Sequence, residues 1–303
     1  MRQAHRGIKI LAGVICLVWS CMNLVLAQTQ PMTTVQEILK NIKPSSCSRK
    51  DIKKPIPSEY VRVAEVKPDL SCVINPADLA HKLKSPGTVL VDTRSAMDFA
   101  EFHIEGAMNI SATELRSKSF LRDKSVVLIG NGKAERELYI ECRRLKSTGF
   151  RRVNVLRGGM PAWLASGYSV LGQSPNLARL TTLTPSELWI ESRFAANLIL
   201  VTASQKTLQK HITGSLLIPD ERLKTVQAIV NQRSRHSKSG SRAAVILVTG
   251  KEADVQALSQ AIEPVPLLVY SETAEALANQ LTQQSAVWTA QARGPKQPSG
   301  CGR

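Results

Sequence analysis

The chain is poor in aromatic residues, poor in acids, and lacks the short signatures of the common cofactor enzymes. Phe, Trp and Tyr make up only 4% of its 303 residues. That is too few for the interleaved stacking platforms of single-strand nucleic-acid binders. Asp and Glu number 24 against 40 Lys and Arg, a formal charge of +16. Such a surplus points to nucleic acid, an anionic surface or small anions as partners. There is no P-loop, dinucleotide fingerprint, Cys-x-x-Cys or Ser-His-Asp order. No second histidine stands at metal-ligand spacing from His103 or His211, so no zinc site and no cofactor are expected. What is present is a 43% hydrophobic content, which excludes a disordered chain, and a length that fits two domains.

The N-terminus addresses the compartment. Arg2, Arg6 and Lys9 precede an apolar stretch from Ile8 to Leu26, and Val25-Leu26-Ala27 offers small residues before Gln28. This is the layout of a secretory signal peptide over residues 1–27, cleaved near Ala27 to give a periplasmic or secreted protein. The competing reading is an uncleaved anchor, because the stretch is nearly long enough to span a bilayer. Trp19 makes the residues before Cys21 a poor lipidation signal. Export separates the chain from nucleic acid and leaves anions, acidic partners or anionic surfaces.

Four cysteines remain after cleavage: Cys47, Cys72, Cys142 and Cys301. Cys47 and Cys72 flank a polar, Pro-broken segment in an exported leader, residues 28–74. A bridge between them would close a loop of about 25 residues and contribute roughly 3–4 kcal/mol; the alternative is two free thiols. Cys142 has Leu138 at i−4 and Leu145 at i+3, which places it on the buried stripe of an amphipathic helix as inert packing.

From Asn75 to Gly172 β-branched runs alternate with helical patterns: a helix from Asn75-Pro76, strands at 88–94, 126–130 and 153–156, and a helix through MPAWLASG. Strands and helices in short alternation imply a mainly parallel sheet covered by helices on both faces. The plan then repeats. HIEGAMNI (103–110) returns as HITGSLLI (211–218), LVDTR (90–94) as LVTAS (200–204), Asn75-Pro76 as Thr184-Pro185, and VVLIG (126–130) as VILVT (245–249). The fold class is therefore α/β with two modules, 75–172 and 183–284. A linker at 173–182 joins them, and a flexible tail at 285–303 follows.

LVDTR, MDFAEFHIEGAMNI, VVLIG and GFRRVNVLRGGMPAWLASG resemble, in that order and spacing, a rhodanese (thiosulfate sulfurtransferase) domain; the second module resembles it faintly. The resemblance implies a nucleophilic cysteine at the first position after the central strand, held by a loop whose N–H groups cradle the persulfide. That position is Gly130 in the first module and Thr249 in the second, so ordinary sulfur transfer is not expected. Asp92 and Arg94 match the family's acid-x-Arg support for the loop, where the second module has Thr202 and Ser204. His103 and His211 match a histidine tied to turn geometry.

The loop Gly130-Asn131-Gly132-Lys133-Ala134-Glu135-Arg136 keeps two glycines for close backbone approach and two cations, Lys133 and Arg136. It is expected to hold a sulfur-containing anion or an unknown protein partner's carboxylate; the bland reading is a decayed loop kept as a turn. Cys301 lies in a Gly-Cys-Gly tail that faintly resembles the arm of a periplasmic sulfur-oxidation carrier. A tail of that kind would make Cys301 a sulfur-relay or redox thiol. Arg233, Arg235, Lys238 and Arg242 sit in an inserted polar stretch and offer peripheral contact with an anionic surface. The leading expectation is a non-catalytic binding or scaffold module. A relay through Cys301 and a residual sulfurtransferase are the alternatives.

Overall fold

In a computed structural model the chain is described over residues 66–235, 242–251 and 253–293. Residues 1–65, which carry the expected signal peptide, most of the expected leader and Cys47, lie outside the described residues. So do Lys238, Cys301 and the rest of the last ten residues.

The first module opens earlier than the helix at Asn75-Pro76. A 3₁₀ turn, Leu70–Cys72, leads into strand β1 (Val73–Ile74) and helix α1 (Pro76–Lys82). There follow β2 (Thr88–Asp92), α2 (Ala96–Glu101), β3 (Phe102–His103), β4 (Met108–Asn109) and α3 (Ala112–Leu115). The module continues with β5 (Ser125–Ile129), α4 (Glu135–Ser147), β6 (Arg152–Leu156), α5 (Gly159–Ala165) and β7 (Leu171–Gly172). Five strands form a parallel sheet in the order β1-β6-β5-β2-β4. All five residues of β5 are buried. A central strand covered on both faces must be apolar on both, which is why Ser-Val-Val-Leu-Ile runs without alternation.

The second module contains α7 (Pro185–Glu191), β8 (Leu198–Thr202), β9 (Leu216–Ile218), α8 (Leu223–Arg235), β10 (Val245–Val248), α9 (Val255–Ala261), β11 (Leu267–Tyr270) and α10 (Ala274–Arg293). Between the modules lies α6 (Leu177–Thr181). The second sheet is also parallel, ordered β11-β10-β8-β9. A single bridge from Thr182 to Val269 extends it on the β11 side. Thr182 thus stands to β11 as β1 stands to β6, and the two sheets share one strand order. The repeat seen in the sequence is a repeat of topology. Thr184-Pro185 starts its helix as expected, with a full capping box between Thr184 and Glu187.

Three expected boundaries differ. The stretch 173–182 is not a bare linker, because Asn176 caps α6 through the Ala178 amide at 2.8 Å. The tail is helical as far as Arg293, since Ala274–Arg293 is rich in Ala, Gln and Leu and free of Gly and Pro. The inserted polar stretch begins as helix, with Arg233 exposed on α8 and Arg235 at its end. Arg242 is half-buried just before β10 and its Nε is enclosed.

The cysteine pairing also differs. Cys72 is bonded to Cys142, not to Cys47. The residues before β1 fold onto α4: the Asp69 amide donates to the Tyr139 carbonyl at 3.1 Å, and Lys146 Nζ lies 3.0 Å from Asp69 Oδ2. That docking carries Cys72 to the buried stripe of α4. Cys142 is buried there as its spacing requires, but as half of a disulfide rather than as inert packing. Among the described residues no helix is long and apolar enough to cross a membrane.

Candidate functional site

The C-terminal ends of parallel strands expose backbone groups to the crevice where α/β proteins place their ligands. The loop between β5 and α4 occupies that position. It is tightly folded: Asn131 Oδ1 accepts from the Lys133 amide at 2.9 Å, Gly132 has φ +80° and Ala134 has φ +52°. A left-handed alanine is uncommon. Here it turns the chain into α4.

Gly158-Gly159, following β6, closes on the loop from one side. A Cβ on Gly159 would stand 2.3 Å from the Gly130 carbonyl oxygen, so only glycine permits this approach. On the other side Leu138 fills the space beside Gly130, its Cδ1 2.7 Å from where a Cβ would stand.

The loop's donors are engaged by the second module. Lys133 Nζ donates to the Thr182 carbonyl at 2.6 Å and to both carboxylate oxygens of Glu187 at 3.0 and 3.1 Å. The Ala134 amide donates to Glu191 Oε1. Glu187 and Glu191 are one turn apart on α7, so one helix face presents both carboxylates to the loop. Arg136 pairs with Glu137 at 2.8 Å. The expected open anion cradle is thus already filled by carboxylates of the same chain. Glu187 and Glu191 carried no functional signal in the sequence beyond their spacing of four.

Beneath this contact lies a cluster of buried ionisable groups. Glu135, the first residue of α4, accepts from Tyr139 Oη at 3.1 Å through Oε2, while its Oε1 is buried without a partner. Burial pushes its carboxyl up to about 8; the charge of Glu191 adds to this, and Tyr139, the Gly158 amide and Arg157 oppose it. Burial likewise raises Glu191, against hydrogen bonds from the Ala134 amide and from Asn197 Nδ2 at 2.8 Å. Burial raises Tyr139 and lowers Arg157. Beside the cluster, Ala134, Arg136, Trp189, Glu191, Arg193 and Phe194 line a cavity of about 360 Å³.

The other sequence candidates lie apart from this contact. Asp92 and Arg94 form a buried pair, with Nη2–Oδ2 at 2.7 Å and side chains 0% and 4% exposed. Arg94 also donates to the Phe102 carbonyl at 2.6 Å and lies over the Phe102 ring. The pair therefore ties the end of β2 to β3. In the second module Thr202 and Ser204 replace it with a hydroxyl contact at 2.8 Å, and Thr202 Oγ1 donates to the Val248 carbonyl at 3.2 Å. Thr249 is fully buried; its amide donates to the Tyr270 carbonyl at 2.9 Å and its hydroxyl accepts from the Lys251 amide. His103 bonds the Phe99 carbonyl at 2.8 Å and stacks on the Phe99 ring, closing the end of α2. His211 is exposed at the end of a 3₁₀ segment.

Comparison with known proteins adds a family. The family model "Rhodanese-like domain" matches residues 75–166. A thiosulfate sulfurtransferase of Pseudomonas aeruginosa is 30% identical over 131 residues, covering 35% of this chain. The chain spans about half, 47%, of that relative's length. Among solved structures, a rhodanese-related protein from Thermoplasma volcanium is 28% identical, covering 33% of this chain and 98% of its own, at a TM-score of 0.29. SseA from Escherichia coli, described as a 3-mercaptopyruvate sulfotransferase with the "Rhodanese" fold, is 15% identical, covering 66% and 98%, at a TM-score of 0.27. The family match coincides with the first sheet and its glycine-closed loop, so it is residues 75–166 of this chain that are similar to the rhodanese-like domain family.

Proposed function

We propose that this chain is an exported rhodanese-like binding or scaffold protein, without ordinary sulfurtransferase turnover, whose loop 130–136 is a carboxylate and anion socket. One observation carries the reading: the loop holds no thiol, and its Lys133 and Ala134 donors are bonded to Glu187 and Glu191. The second module is read as a degenerate copy of the first, contributing α7 as an internal ligand. A sulfur-containing anion or a partner's acidic side chain would meet the same donors.

The test is thiosulfate:cyanide turnover by the mature chain, with mass spectrometry after exposure to thiosulfate and to a persulfide donor. Thiocyanate formation at the buffer rate and no sulfur adduct are expected. Turnover abolished by Cys301→Ser, or a +32 Da adduct (one sulfur) on Cys301, would overturn the scaffold reading in favour of sulfur relay. Turnover that survives Cys301→Ser would favour a sulfurtransferase.

A further inference from the structure

Glu135 and Glu191 come from different modules and meet at one backbone position. Glu191 accepts the amide of Ala134, the residue next to Glu135. Both side chains are enclosed, at 5% and 4% exposure. Every element around them contributes a charged or polar group. The loop supplies Lys133 to Glu187; α4 supplies Tyr139 to Glu135; the residues after α7 supply Asn197 to Glu191. Arg157, just after β6, is buried with its Nε unpartnered, and the charges of Glu135 and of Asp78 on α1 act on it.

Glu191 thus has two N–H donors, whereas Glu135 is met by the Tyr139 hydroxyl and the Gly158 amide and keeps one oxygen, Oε1, buried with no partner. An ionised carboxylate so placed lacks the hydrogen bonds that would replace its hydration. A neutral carboxyl loses much less.

We infer that the contact between loop 130–134 and helix α7 is a proton-operated latch, held by the protonated Glu135 and weakened when Glu135 and Glu191 are both ionised. Ionisation of Glu135 puts a second negative charge beside the Glu191 carboxylate with little water to screen it. The Glu191–Ala134 contact is then the weakest point, because breaking it lets water reach both groups.

The direction follows from the proton balance. Glu135 is held at about 8 in the closed form and returns towards its ordinary value of 4.5 once exposed. The closed form therefore keeps a proton that the open form releases. Opening becomes easier as pH rises between these values, by at most about tenfold per pH unit for one proton, and levels off above the upper one. Opening frees the Ala134 amide and Lys133 Nζ for an outside anion. That consequence rests on the socket reading; the latch itself does not.

Hydrogen–deuterium exchange of the mature chain between pH 5.5 and 9, corrected for intrinsic rates, tests it without any ligand. Protection of peptides spanning 130–139 and 185–193 is expected to fall with pH and level off near pH 8, while β2 and β8 stay unchanged. Glu135→Gln should flatten the profile. Tyr139→Phe removes the one hydroxyl that stabilises ionised Glu135, and should move the levelling point to higher pH. An unchanged profile in Glu135→Gln, or in Tyr139→Phe should the first variant fail to fold, would overturn the latch. So would loop protection that does not vary with pH. Failure of the socket reading alone would leave this profile intact.

Discussion

At the scale of single residues, burial decides what a charged group does. Asp92 and Arg94 bond each other through three pairs of side-chain atoms with almost no exposed side-chain surface. Removing one partner of such a pair leaves an uncompensated charge in the interior. Asp92→Asn is expected to lower unfolding free energy by about 3–5 kcal/mol in urea titrations. Ser204→Ala, at the position of the second module that matches Arg94, removes the hydroxyl contact with Thr202 and should cost about 1 kcal/mol. Equal losses at the two positions would mean that the buried charge pair is not what holds the end of β2.

At the scale of elements, α4 joins the loop 130–136 to the disulfide. Its first residues shape the loop, and its middle carries Cys142, bonded to Cys72 across 70 residues of sequence. A crosslink over so long a span restricts the unfolded chain strongly. Cys142→Ser is expected to cost about 2–5 kcal/mol and to lower the melting temperature of protein isolated from an oxidising compartment. Peptide mapping without reduction should recover the 72–142 pair; recovery of Cys47 joined to Cys72 would contradict the arrangement. The same bond fastens the residues ahead of β1 to the first module's core, where Cys72 and Cys142 pack with Leu145 and Val153.

At the scale of the whole molecule, the core does not stop at the module boundary. Phe194, from the second module, is buried in the first module's core cluster and lies 6.2 Å from the Tyr139 ring. With Lys133, Glu187 and Glu191 bonded across the same seam, the modules should unfold together. Calorimetry is expected to show one transition. Phe194→Ala should destabilise it by about 3–5 kcal/mol and lower hydrogen-exchange protection in β5 and β8 alike. Two well-separated transitions in the unaltered protein would refute this coupling.

What the amino-acid order determined by itself is local. The unbroken apolar runs of β5 and β10, the helix starts at Asn75-Pro76 and Thr184-Pro185, the buried stripe through Cys142 and the thiol-free loop after Ile129 all follow from a few neighbouring residues. Backbone propensity, capping and periodicity act over about one helical turn or a pair of strand residues, so they can be read in one dimension. The +16 surplus was likewise legible as a number but not as a site. Tertiary structure alone decided that Lys133 reaches a carboxylate 54 residues away, that Ala134 meets Glu191 57 residues away, and that Cys72 pairs with Cys142. It also made Glu135, a member of the loop stretch with no role of its own in the sequence, an enclosed carboxyl. The reason is physical: partners and desolvation depend on which surfaces the two sheets bring together, and no local pattern encodes that distance.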